Sequence, residues 1–328
     1  MLRIITIKLR HMQVPQYHWK RRAAQIATIV LIVLVPATGL LKIDLTTASF
    51  MILDHQMRWS NIFFVFGLGL MIATAPIITY MTIGTVWCGW SCPQNTVSEW
   101  ANNLTHKMLG KRANVDIDSE GLMVASAKNN AVNWIILVSS FVVVSLLLAT
   151  IPFLFFYTPG EVLSFFTFGS ASKISRFMQQ LYIVVAILVF MDIAVIRYFW
   201  CDYLCLYRIG QRIFRTRDAL HVKYDSTRSG DCAKCNYCST SCITGIDPTD
   251  VKIDDICINC GECIDACNRL HEKKGGGHGL LQFQFSEARR ADTLSGYLAG
   301  MAAKFNWWVG SIFLIGCLMF VWGVINPG

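Results

Sequence analysis

Eight cysteines stand in two matched runs, Cys232-x₂-Cys235-x₂-Cys238-x₃-Cys242 and Cys257-x₂-Cys260-x₂-Cys263-x₃-Cys267. Spacings of two residues let three thiolates cap one face of an iron–sulfur cubane. The fourth cysteine, three residues on, sits at the start of a helix and points to the neighbouring cluster, as in bacterial two-cluster ferredoxins. The expected ligand sets are therefore crossed. Cys232, Cys235, Cys238 and Cys267 serve one [4Fe–4S] cluster, and Cys257, Cys260, Cys263 and Cys242 the other. Zinc sites rarely use eight cysteines in two such runs. Ferredoxins usually place proline directly after the fourth cysteine; here Ile243 and Asn268 stand there.

Two further pairs, Cys88-x₃-Cys92 and Cys201-x₃-Cys205, have a helical spacing that puts both thiols on one face. Each pair follows two apolar stretches, so the chain carries a weak two-fold repeat of helix pairs. If the repeats are related by an axis along the membrane normal, the four thiolates converge on one shared redox or metal site. That site would suit a further Fe–S cluster, a soft metal ion or a redox dithiol pair. The alternative is four reduced cysteines packing as small hydrophobes, the role also expected of Cys317. His11, His18, His106, His221, His271, His278 and His55 all fall outside the apolar stretches. No transmembrane haem is therefore predicted. Asp192 is the one acid inside such a stretch, which makes it functional by default or paired with Arg197 a turn away.

These residues need elements to position them. Of 328 residues, 54% are hydrophobic and 15% charged, against about 25% charged in a soluble domain. Five apolar stretches, roughly 23–42, 62–86, 132–157, 181–200 and 306–325, are long enough to span ~30 Å of hydrocarbon, which takes ~20 helical residues. Lys and Arg alternate with them. Arg3, Lys8, Arg10, Lys20, Arg21 and Arg22 precede the first, and Lys107, Lys111, Arg112 and Lys128 follow the second. Only Lys173 and Arg176 follow the third. The positive-inside rule then puts the N-terminus, the 87–131 loop and the 201–305 segment in the cytoplasm, with the tail after 325 outside. The net charge of +8 reflects these loops rather than nucleic-acid binding. Clustered cysteines read as metal ligation in a reducing compartment. The first stretch is expected to be an uncleaved anchor, its apolar core being longer than that of a signal peptide.

The expected fold is thus an α-helical membrane protein with about five transmembrane helices and an inserted cytoplasmic 2[4Fe–4S] ferredoxin domain. Residues 1–217 form the membrane domain, 218–304 the ferredoxin domain and 305–328 the fifth span. Val97, Trp100, Ala101, Leu104 and Met108 recur at helical spacing. Leu206, Ile209, Ile213 and Phe214 do so with Arg208, Arg212, Arg215 and Arg217 between them, a basic amphipathic pattern suited to an anionic leaflet.

The stretch Trp87-Cys88-Gly89-Trp90-Ser91-Cys92-Pro93-Gln94, the Cys201/Cys205 pair, and residues 242–248 through 257–267 together resemble the NosR/NapH/CcoG group of membrane polyferredoxins. The resemblance is most nearly to the CcoG (FixG/RdxA) accessory proteins of cbb3-type cytochrome oxidase, and it covers nearly the whole chain. It implies a five-span core in the bacterial inner membrane with a cytoplasmic cluster domain. It also implies a redox role, passing electrons between quinol or a cytoplasmic donor and a partner respiratory redox protein or oxidase subunits. Reduction of copper during oxidase assembly is the alternative. The group's immunoglobulin-type domain after the last span has no counterpart up to Gly328, and Leu206 replaces the proline after Cys205. These departures favour an electron-transfer subunit of oxidoreductase type.

Overall fold

The computed structural model describes residues 17–45, 47–52, 55–110, 123–167, 174–214, 219–232, 235–251, 255–273, 277–285, 289–290 and 306–326. Arg3, Lys8, Arg10, His11, Lys111, Arg112, Lys173, Arg215, Arg217, Gly275 and Gly276 lie outside them. The helices are α1 (Tyr17–Ala37), α2 (Ile62–Thr82), α3 (Val86–Trp90), α4 (Pro93–Leu109), α5 (Ala131–Thr150) and α6 (Pro159–Phe166). They continue with α7 (Arg176–Met191), α8 (Leu206–Phe214), α9 (Tyr237–Thr240), α10 (Glu262–Lys273) and α11 (Trp307–Ile325). The strands are β1 (Leu41–Asp44), β2 (Ser49–Ile52), β3 (His55–Arg58), β4 (His221–Tyr224), β5 (Leu281–Phe285) and β6 (Arg289–Arg290).

Four helical segments among the described residues are long and apolar enough to cross a membrane: Ile62–Thr82, Ala131–Phe155, Arg176–Ile196 and Trp307–Ile325. They match four of the expected stretches to within a few residues. The first stretch behaves differently. Helix α1 begins at Tyr17 and ends at Ala37, and the chain then enters β1 at Leu41. The helical part free of Lys20, Arg21 and Arg22 is residues 23–37, fifteen positions, or about 22 Å at 1.5 Å per residue. That is shorter than the ~30 Å hydrocarbon core.

The described chain divides into two compact units. One comprises Met1–Ile26, Pro76–Cys92 and Gly210–Gly310. Its core joins β4 and β5, paired antiparallel with Val222 opposite Phe283, to the apolar side of α10. Leu220, Val222, Ile264, Leu281, Phe283 and Phe285 are buried there beside Cys257 and Cys263.

The other unit comprises Ala27–Ala75, Pro93–Ile209 and Ser311–Gly328. Helix α4 carries the expected apolar face, and that face is packed against protein: Ala101 and Leu109 are buried with Leu137 and Phe141 of α5 and with Ile193. Helix α2 meets α11 through glycines. A Cβ on Gly67 would lie 2.4 Å from Phe320 N, and one on Gly323 would lie 2.5 Å from Phe64 N. Small residues of this kind let helix backbones approach in a membrane, where packing rather than hydrophobicity drives association. Side-chain caps start α6 and α7. Thr158 and Glu161 form a reciprocal capping box on α6, and Ser175 Oγ accepts the Met178 N–H on α7. Strands β1, β2 and β3 form an antiparallel meander.

Helix α7 loosens after Met191 into a π-turn at Asp192–Ile196 and another at Trp200–Leu204, with Arg197 between them at φ +41°. The expected Asp192–Arg197 pair is replaced by two separate sets of bonds. The Asp192 carboxylate accepts both its bonds from Gln94 Nε2, at 2.9 and 2.7 Å. The Arg197 guanidinium donates to Ile193 O at 2.8 Å, to Asn102 Oδ1 and to Thr105 Oγ1 at 3.0 Å. The wide turn rotates the two side chains away from each other, and α4 supplies partners to both.

Candidate metal centres

Left-handed residues shape both cysteine runs, Asn236 in the first and Asn259 and Gly261 in the second. Asn236 follows Cys235 at φ +56°, and Gly261 follows Cys260 at φ +83°. Asparagine and glycine are the residue types that tolerate this region best. In both runs the turn opens a helix, α9 from Tyr237 and α10 from Glu262. Cys238 and Cys263 therefore sit in first turns, Cys267 lies one turn along α10, and Cys242 lies just past the end of α9. At Gly261 a side chain is also excluded by space, since a Cβ would stand 2.8 Å from Tyr17 Cβ.

The thiols gather around two cavities. Cys232, Cys235, Cys238 and Cys267 line one of about 500 Å³, walled by Tyr224, Tyr237, Leu270, Leu280 and Leu281. Cys242, Cys257, Cys260 and Cys263 line a second of about 20 Å³, among Val222, Ile246, Val251 and Ile258. The first is open, with Cys235 exposed; in the second, Cys257, Cys260 and Cys263 are buried. Among the described residues no three His, Cys, Asp or Glu side chains converge tightly enough to hold a single ion. Four sulfurs spread round a cavity suit a larger group.

Burial pushes the Cys260 thiol up to about 12, against the opposing pull of the Arg21 charge. Burial also holds Cys263 well above the ordinary thiol range, and the neighbouring Cys260, Cys257 and Cys242 add to the effect. Cys238 is raised by burial and by Cys267. Such thiols resist carrying negative charge until a cation shares it, which is the condition that bound iron meets. The four-thiol donor set at each cavity thus has the chemistry of an iron–sulfur site; the open cavity, at about 500 Å³, also has the room, whereas the buried one, at about 20 Å³, has space for a water and its thiols would have to part to admit a cluster. One backbone group is already aimed at a sulfur: the Leu280 N–H donates to Cys267 Sγ at 3.3 Å. N–H···S bonds of this type are one of the protein's means of setting a cluster's potential.

Sequence reasoning missed the support around the buried set. Arg21 is fully buried, with Nη2 2.9 Å from Glu262 Oε1. His18 Nδ1 lies 2.7 Å from the same oxygen. The Asp265 carboxylate accepts the Tyr17 and His18 N–H groups at 3.1 and 2.8 Å, capping α1 from α10. Burial raises the Asp265 carboxyl, and those two N–H bonds pull it back. The remaining cysteines fall in different units. Cys88 and Cys92 flank the end of α3 in the first; in the other, Cys201 lies within the second π-turn and Cys205 just past it.

Comparison with known proteins adds two family models. Residues 65–112 match a 4Fe-4S binding domain and residues 226–286 a 4Fe-4S dicluster domain. The chain is 24% identical over 281 residues to the nitrogen fixation protein FixG of Rhizobium meliloti, covering 79% of this chain and 50% of that protein. It is 23% identical over 253 residues to protein RdxA of Cereibacter sphaeroides, covering 74% and 52%. It is 28% identical over 213 residues to the ferredoxin-type protein NapH of Haemophilus influenzae, covering 61% and 66%. The chain spans about half the length of FixG and RdxA. No solved structure matches it significantly. The chain is similar over most of its length to FixG, RdxA and NapH, the names to which its cysteine motifs pointed, and it carries 4Fe–4S binding domains.

Proposed function

We propose that this chain is a membrane-bound iron–sulfur electron-transfer protein. In it Cys232, Cys235, Cys238 and Cys267 hold one [4Fe–4S] cluster, and Cys257, Cys260, Cys263 and Cys242 hold the other. The observation that carries the reading is the sorting of eight thiols around two cavities, each taking three cysteines from one run and one from the other. A bound [4Fe–4S] cluster supplies reversible one-electron transfer. The chain's own residues do the rest. The thiols anchor, Val222, Ile246, Val251 and Ile258 exclude water from the second cavity, and the Leu280 N–H tunes the first.

The Lys and Arg distribution supports a bacterial inner-membrane protein with its N-terminus and the 218–304 domain on the cytoplasmic side. A fifth crossing would use α1 together with the residues after it. The partner class is a respiratory redox protein or oxidase subunit, with a quinol or a cytoplasmic donor at the other end. The resemblance to a ferredoxin-type protein supports this. The reading asks nothing of a shared centre at Cys88, Cys92, Cys201 and Cys205.

Anaerobic purification tests the proposal. About eight iron and eight acid-labile sulfide per chain are expected for two cubanes, with cubane signals on reduction. Stoichiometric zinc without labile sulfide would end it.

A further inference from the structure

The segment that leads into Cys92 is built onto the backbone of the buried thiol set. Three consecutive carbonyls between Cys257 and Cys260 face it. Thr85 Oγ1 donates to Cys257 O at 2.8 Å, and Trp90 Nε1 donates to Asn259 O at 3.0 Å. Between them Gly89 packs so closely that a Cβ would stand 2.3 Å from Ile258 O and 3.2 Å from Cys260 Cα. Only a residue without a side chain permits that approach. Asn259 is locked for this contact: it is fully buried at φ +50°, and its Nδ2 donates to Leu220 O at 2.7 Å. Arg21 Nη1 reaches back to Gly89 O at 3.5 Å. Along the chain, this segment directly follows α2, one of the candidate membrane helices.

The other set is presented differently. Cys235 and Asn236 are exposed, and Tyr237 beside them is 57% exposed. A water-soluble protein can reach that rim. It cannot reach Cys260, which is buried and whose backbone is packed against Gly89.

We propose that the two sets have fixed, different ports: the open set exchanges electrons with a water-soluble one-electron partner protein, and the buried set exchanges them with a membrane-held one-electron centre through Thr85–Trp90. This rests on the reading that both sets hold clusters and adds their order. No bond forms or breaks in the step. One electron moves, one centre is oxidised by one and its neighbour is reduced by one.

The test uses the full-length holoprotein in detergent. Electron paramagnetic resonance power saturation is measured on the reduced protein with and without a water-soluble dysprosium chelate. Cys235→Ser assigns the open set's signal. The chelate is expected to speed relaxation of that signal and to leave the other nearly unchanged. Trp90→Phe keeps an aromatic side chain and removes the indole N–H, so it should shift the midpoint potential of the buried set alone; Gly89→Ala should shift it further. Equal relaxation of both signals, or a greater effect on the buried one, overturns the proposal. So does a Trp90→Phe shift confined to the open set or absent from both. Wild-type protein without labile sulfide would instead remove the underlying cluster reading, and the order with it.

Discussion

Replacing Arg21 by methionine probes the join between α1 and the buried thiol set. The guanidinium is fully buried and lies 2.9 Å from Glu262 Oε1. Removing one partner of a buried ion pair costs about 3–5 kcal/mol, because the other charge stays desolvated. Here His18 Nδ1 remains 2.7 Å from the same oxygen, which argues for the lower end, about 3 kcal/mol. The effect should be local, so hydrogen exchange of peptides covering residues 17–26 is the right assay. An opening made easier by about 3 kcal/mol speeds exchange on the order of a hundredfold. Glu262→Gln should act similarly, since it removes the charge that faces the Arg21 guanidinium at 2.9 Å. The double variant should cost less than the sum of the two, by about 1 kcal/mol or more. Additivity within about 0.5 kcal/mol, with iron content unchanged, would refute the claim that this pair anchors the helix.

Three other outcomes are expected. Gly323→Val, which forces a side chain into a backbone contact that a Cβ already makes at 2.5 Å, should lower the melting temperature of the solubilised protein. Gly69→Ala on the facing helix α2 meets nothing within 4 Å and should not lower it. Gln94→Leu strips the Asp192 carboxylate of both its bonds; a loss of about 1–3 kcal/mol should appear as earlier thermal unfolding, while the cluster signals keep their shape. Gly279→Ala places a Cβ 2.9 Å from Cys267 Sγ, so it should alter the g-values and potential of the open set and spare the buried one.

The cysteine spacing was legible because short loops leave little freedom: with two residues between thiols, three sulfurs must share one cavity. The helical segments from α2 onward were legible because their apolar runs are long. The end of the first run was misplaced because an apolar stretch does not by itself separate helix from strand. Leu41 and Ile43 alternate with Lys42 and Asp44, the period of a strand, and β1 begins there. What the sequence could not reveal is long-range pairing. Arg21 and Glu262 are 241 positions apart, and Arg21 looked like one more loop cation beside Lys20 and Arg22. One signal was present. Tyr17, Arg21 and Gln25 repeat every fourth residue, and Arg21 and Gln25 are both buried. A polar stripe on an otherwise apolar helix calls for a partner. Gly89 gave no such signal, because its meaning lies in Ile258 and Cys260.

The cap that α10 places on α1 has a consequence in time. Asp265 follows Tyr17 and His18 by 248 and 247 residues. A ribosome adding about 5–20 residues per second makes the helix start roughly 12–50 s before its acceptor. Through that interval Arg21 also lacks Glu262. Both acceptors arrive on α10, the same helix that presents Cys263 and Cys267. The start of this early-made helix is therefore sealed by the same late event that brings the last thiols together. A chain halted before α10 has folded keeps its first helix open at Tyr17, and a protease working at that end reads out whether the metal-binding part has been finished.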